Sequence, residues 1–142
     1  KKPAELRIVA TSIQCIPEAS GQETWANMPR ERNRFFRLIA DSKANGVVLL
    51  SGDRHWAEVS VLTEDLPYPI YEFTSSSLNQ LHGRGTPTDN RHRAIPTSFH
   101  KENYGRMLID WDAEDPRVTT SVIDGAGQVR ISKTLFLSEL GR

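Results

Sequence analysis

The chain has 142 residues, of which 37% are hydrophobic and 25% charged, and its 18 basic side chains balance 18 acidic ones. That composition suits one globular domain with a core of its own. The zero net charge gives no support to a nucleic-acid-binding surface or a membrane-surface patch. No apolar run approaches the ~20 residues of a membrane span. The one cysteine, Cys15, excludes an internal disulfide framework and reads as a small packed side chain. The chain opens at Lys1-Lys2-Pro3 with neither Met nor a signal peptide, as expected for a piece of something longer.

Leu6 to Ser12 is rich in β-branched and aliphatic residues and reads as a first strand. Ile13 to Asn27 carries Pro17 and Gly21 without a sustained period and reads as loop. A helix follows, with Asn27 as its N-cap and Pro29 in its first turn. Phe35, Phe36, Leu38 and Ile39 form its apolar stripe, and Gly46 is its stop. Arg30, Glu31, Arg32, Arg34 and Arg37 read as a solvated face.

Val47 to Ser51 is an apolar run that fits a strand buried on both faces of a parallel or mixed sheet, and Gly52 breaks it. Strand, loop, helix and strand make a β-α-β crossover, so Leu6–Ser12 and Val47–Ser51 are expected to run parallel. Ligands of such sheets bind beyond the carboxyl ends of the strands, which brings Ser12, Gln14, Asp53 and His55 to one edge. If the segment stays extended, Asp53 and His55 point to the same side. A carboxylate and an imidazole so placed suit zinc, manganese or iron, with calcium or magnesium on the carboxylate side. Arg54 would point away as a salt-bridge partner, and Trp56 would pack the core. Gly-Asp after a strand is also ordinary turn chemistry, so these four residues alone leave both readings open.

In the second half, Val59 to Thr63 and Ile70 to Ser75 read as short strands around a Pro67/Pro69 turn. Ser75-Ser76-Ser77 lacks a glycine elbow and reads as a strand exit rather than a nucleophile. Leu78 to Asn103 is a long loop of the kind that is usually functional or mobile. Its His82, His92 and His100 read as surface residues, with His82 and His100 as outside candidates for substrate contact. Arg106–Asp112, Arg117–Asp124 and Gln128–Leu137 then form an antiparallel meander.

Five stretches follow one another along nearly the whole chain: Glu23-Thr-Trp25, Pro29-Arg-Glu31-Arg32, Val48-Leu-Leu-Ser-Gly-Asp-Arg-His55, Tyr71-Glu-Phe-Thr-Ser-Ser-Ser77, and Asn103-Tyr-Gly105 running into Leu108-Ile-Asp-Trp111. In that order they resemble the carboxy-terminal half of the alkaline phosphatase D family, the PhoD-like branch of the calcineurin-like metallophosphoesterases. The resemblance implies an α/β (α+β) fold, part of a four-layer metallophosphoesterase architecture. Its mixed β-sheet would carry the β-α-β unit and be followed by the antiparallel β-meander, with residues 1–142 as the carboxy-terminal part of a single metallophosphatase domain. It also implies metal-dependent hydrolysis of phosphate monoesters or diesters at a dinuclear centre of divalent or trivalent ions, drawn from iron, calcium, zinc and manganese.

Gly52-Asp53-Arg54-His55 matches the superfamily signature Gly-His-x-His, whose first His is commonly Asp in this branch. By that match Asp53 and His55 are catalytic residues and metal ligands. The superfamily's further His has no counterpart in Ser12–Gln14, and the family's Asp-rich amino-terminal motifs do not precede Leu6. The expected partners are therefore a phosphoester substrate and an amino-terminal companion polypeptide of the same protein. A periplasmic or secreted setting follows from the family alone. The alternatives are a non-catalytic β-rich interaction module and an inactive truncation product with exposed sheet edges.

Overall fold

The computed structural model describes residues 4–19, 22–81 and 90–141. Within them β1 (Arg7–Thr11), a 3-10 turn (Trp25–Asn27), α1 (Pro29–Ser42), β2 (Val47–Ser51), β3 (Ala57–Leu62) and β4 (Ile70–Ser75) precede β5 (Asn103–Asp110), β6 (Arg117–Asp124) and β7 (Val129–Phe136), and a 3-10 turn (Leu137–Leu140) closes the chain. The strands form two sheets, a mixed one ordered β1-β2-β4-β3 and an antiparallel meander ordered β5-β6-β7.

The expected crossover is present: β1 pairs parallel with β2, Ala10 opposite Leu50. On its other side β2 pairs parallel with β4, Leu50 opposite Phe73, and β3 then runs antiparallel to β4. Val47, Val48 and Leu49 are buried. Alternation along β2 and β4 turns Leu50 and Phe73 toward the meander, where they meet Met107 and Val122. Glu72 lies on the opposite face, beneath the segment that follows β1. The core joins Val48, Leu49, Ile70 and Phe73 of the mixed sheet with Val118, Val122, Ile131 and Leu135 of the meander.

Several boundaries differ from expectation for local reasons. Met28, not Asn27, precedes α1, and Asn27 ends the short 3-10 turn before it, where the Thr24 side chain accepts the Ala26 N–H. The helix stops at Lys43, which is left-handed (φ 51°), rather than at Gly46. Gly46 instead lets two segments meet: at φ +64° it donates its N–H to the Leu140 carbonyl, and an added Cβ would lie 1.9 Å from the Glu5 carbonyl oxygen. Of the predicted stripe, Phe36 and Ile39 are buried whereas Leu38 is 64% exposed. Arg32 also leaves the solvated face. Its Nε and Nη2 donate to the carbonyls of Cys15 and Ile16 at 2.7 and 2.9 Å, and its Nη1 meets Glu18 at 3.1 Å. The helix is thereby tied to the segment that lines the cleft.

Strand β5 begins at Asn103, three residues before the expected start, because Asn103 donates its N–H to the Ser77 carbonyl and accepts from the Ser75 hydroxyl. The described part of the long loop is not free. Phe99 and Ala57 exchange backbone hydrogen bonds, Val61 donates to His92, and Ala94 donates to Val59, so residues 92–99 cover the outer edge of β3. An edge so covered offers no template for adventitious pairing. In the β6–β7 turn, Asp124 accepts the N–H groups of Ala126 and Gln128 and pairs with Arg130.

Candidate active site at the carboxyl ends of the parallel strands

Gly52 to Trp56 leaves β2 at its carboxyl end, the place where open α/β sheets bind ligands. The segment is not extended. Asp53 and His55 both adopt left-handed backbone, φ 59° and 57°. Non-glycine residues there cost on the order of 1–3 kcal/mol each and persist when surrounding structure determines them. The simple alternation that would have aligned the two side chains therefore does not apply. Asp53 is exposed and His55 half-buried.

Ser76, just past the end of β4, holds this turn. Its Oγ accepts the N–H groups of Arg54 and His55, each at 2.9 Å, and donates to the Trp56 carbonyl at 3.2 Å. The run of three serines, read as a strand exit, thus includes the residue that shapes the turn. Its signal is weak in a sequence because a hydroxyl bonding to the backbone twenty-one residues away has no local pattern.

Arg54 does not form the expected salt bridge among the described residues. Its side chain is 4% exposed, its guanidinium lies 4.2 Å from the Trp56 ring centroid, and its Nε and Nη2 have no hydrogen-bond partner among the described residues. Burial lowers its pKa from the ordinary arginine value, while the charges of Glu58, Asp53 and Glu23 resist that shift. Trp56 is fully buried, as expected for a packing residue, with the His100 ring 5.7 Å away.

Beside the turn, Ser12, Ile13, Glu23, Thr24, Asn27, Met28 and Asp53 line an open cleft of about 660 Å³. Ser12 and Asp53 therefore share a cleft as predicted, and Glu23, the first residue of the Glu-Thr-Trp stretch, joins them. His55 is not among its lining residues. Gln14 turns into the interior, where its amide donates to Glu58 at 2.8 Å and to the Thr74 hydroxyl at 2.9 Å.

The segment just after Ile13 is held by a buried carboxylate. Glu72 accepts the N–H of Cys15 at 2.9 and 3.1 Å and that of Ile16 at 2.7 Å. Burial raises the Glu72 pKa, and these hydrogen bonds oppose the rise. Neighbouring Glu58, also fully buried, pairs with Arg93 at 3.0 Å. Cys15 is packed as expected; burial and the nearby Glu72 push its thiol up to about 12, so it is no thiolate at neutral pH.

His92 and His100 are not simple surface residues. His92 is nearly enclosed beside Glu18, 3.7 Å away, with burial lowering its pKa. His100 bonds through Nε2 to the Ser98 hydroxyl at 2.9 Å and faces Trp56. His82 lies outside the described residues.

Asp53 and His55 offer one hard oxygen donor and one imidazole, a donor set suited to part of a zinc, manganese or iron shell. Among the described residues no group of three or more His, Cys, Asp and Glu side chains is arranged to hold a metal ion. No helix among them is long and apolar enough to cross a membrane. A family model described as PhoD-like phosphatase matches residues 6–132. No curated protein matches the chain.

Proposed function

The chain belongs to the PhoD-like phosphatase family, a membership that carries a phosphatase-type function, and we propose that it supplies the Asp53/His55 side of a metal-dependent phosphoesterase acting on phosphate monoesters or diesters. The observation that carries this reading is the Gly52–Trp56 turn. It stands at the carboxyl end of a buried parallel strand, its backbone is held in two left-handed conformations, and it presents Asp53 to an open cleft.

In this reading Asp53 and His55 are ligands of a dinuclear centre of iron, calcium, zinc or manganese. Bound there, the metal ions would supply Lewis-acid activation of water and neutralise charge on the phosphoryl oxygens. Ligation requires an ionised Asp53 and a neutral His55, so acid would release metal. Two side-chain donors fall short of the three protein ligands that a catalytic zinc takes. The reading therefore includes an amino-terminal companion polypeptide that completes the shell, in the exported setting that the family implies.

Docking of that companion is supported by β1 and β5, each terminal in its sheet among the described residues, and by the exposed Leu108 and Trp111. The same apolar surface favours a second reading, a β-rich interaction module without catalysis.

Native mass spectrometry before and after chelation, together with p-nitrophenyl phosphate turnover, separates the two. The phosphatase reading expects a complex of two polypeptides carrying metal, with turnover abolished by Asp53→Ala and metal content lowered by His55→Ala. Binding of a companion with neither metal nor turnover would establish the interaction module.

A further inference from the structure

We propose that Ser76 is the positioning residue of this site, its hydroxyl locking the turn that presents Asp53 and His55. One side chain makes three hydrogen bonds to three successive residues, accepting from Arg54 N–H and His55 N–H and donating to the Trp56 carbonyl. Both residues whose ligand role is proposed have left-handed backbone. Such a pair needs an outside constraint, because either residue relaxes readily to the common negative-φ regions. The Ser76 hydroxyl supplies that constraint from just beyond the end of β4.

Ser76 is itself held firmly. On one side of it the Ser75 hydroxyl donates to the Asn103 side chain at 2.8 Å, and on the other the Ser77 carbonyl accepts the Asn103 N–H at 2.9 Å. Gly105 of β5 approaches so closely that a Cβ there would lie 3.3 Å from the Ser75 Cβ. Ser76 therefore relays the position of the β4–β5 junction to the turn, without itself touching substrate. Partners that orient ligand residues typically change metal affinity or activity by roughly 10–100-fold when removed.

The inference rests on the ligand reading of Asp53 and His55, and its test keeps the two apart. Ser76→Ala, Ser76→Thr and Asp53→Ala are compared with the parent in the enzyme as isolated and stripped of metal. Zn²⁺ or Mn²⁺ binding is followed by calorimetry, amide hydrogen exchange by mass spectrometry or NMR, and folding by thermal melting.

The expected result is that Ser76→Ala stays folded, binds metal roughly 10–100-fold more weakly, and loses protection at the Arg54 and His55 amides. Ser76→Thr, which keeps the hydroxyl, restores both. Parental metal affinity in Ser76→Ala alongside lost binding in Asp53→Ala overturns the role of Ser76 and leaves the ligand reading intact. Unchanged metal binding in Asp53→Ala overturns the ligand reading. In that case unchanged protection of the two amides in Ser76→Ala overturns the lock as well, and lost protection upholds it. If Ser76→Ala fails to fold, Ser76→Thr decides: parental exchange and metal affinity support the hydroxyl's role, and weakened binding in a folded Thr variant overturns it.

Discussion

The Arg54 guanidinium lies 4.2 Å from the centroid of the Trp56 ring, and both side chains are withdrawn from solvent. A desolvated cation over an indole gains ~2 kcal/mol or more, and the arginine stem also covers apolar surface. Packing and charge can be separated by substitution. Arg54→Met keeps the stem and is expected to cost less than about 1.5 kcal/mol, since volume-conserving changes are tolerated and the desolvation cost of the buried charge offsets its attraction to the ring. Arg54→Ala leaves a void and is expected to cost about 2–4 kcal/mol. Urea denaturation measures both, and equal losses would make the charge, not the stem, the important part.

Glu72 makes stability depend on pH in a direction unusual for a carboxylate. Its folded pKa is raised above the ordinary 4.5, chiefly by burial. Below pH 4.5 both folded and unfolded states hold the proton, and the stabilising contribution is fully present. As pH rises through the folded pKa it is lost, because the unfolded chain ionises more readily. The stability difference between the parent and Glu72→Gln should therefore shrink as pH rises from 4 toward 8. A difference that grows with pH would mean that the Cys15 and Ile16 N–H bonds outweigh desolvation.

His92 acts in the opposite sense. Burial lowers its pKa below 6.5, with the Glu18 carboxylate only partly offsetting that shift and with Arg91, Arg32 and Glu64 also acting on the ring. Its contribution is present above pH 6.5 and is lost as pH falls through the folded pKa, since the unfolded imidazole takes up a proton first. Unfolding midpoints of the parent should fall relative to those of His92→Gln as pH drops from 7 to 5. A parallel course would place His92 in solvent.

Gly46→Ala tests the close approach of the Gly46 backbone to Glu5. Alanine would be forced into left-handed backbone, at about 1–2 kcal/mol, with its Cβ driven against the Glu5 carbonyl. The expected loss exceeds that backbone cost, with faster amide exchange in β1 and β2. A midpoint equal to the parent's would show that residues 4–6 yield easily.

Much of the framework is written locally. The unbroken Val47–Leu50 run, the β-α-β order, and the turn residues Asp115-Pro116 and Asp124-Gly-Ala-Gly127 between the meander strands each declare an element through nearby residues, and those elements are found. The start of β5 and the covering of β3 depend on partners distant in sequence, such as Asn103 with Ser77 or Ala94 with Val59, and no local period encodes them. The site divides in the same way. Asp53 and its position after a buried strand are legible, and so is its cleft with Ser12. The left-handed turn, Ser76 beneath it and the inward rotation of Gln14 toward Glu58 depend on three-dimensional neighbours.

If Asp53 and His55 are ligands as proposed, their left-handed backbone places function and foldability in competition at single positions. Glycine would relieve each conformation at no steric cost, so Asp53→Gly and His55→Gly are expected to unfold at or above the parent's midpoint while abolishing any ligation. A library sorted for thermostability alone would enrich these replacements, and one sorted for turnover would purge them. The ratio of the two enrichments at positions 53 and 55 thus reads out, without any knowledge of substrate, whether this turn is kept for its chemistry.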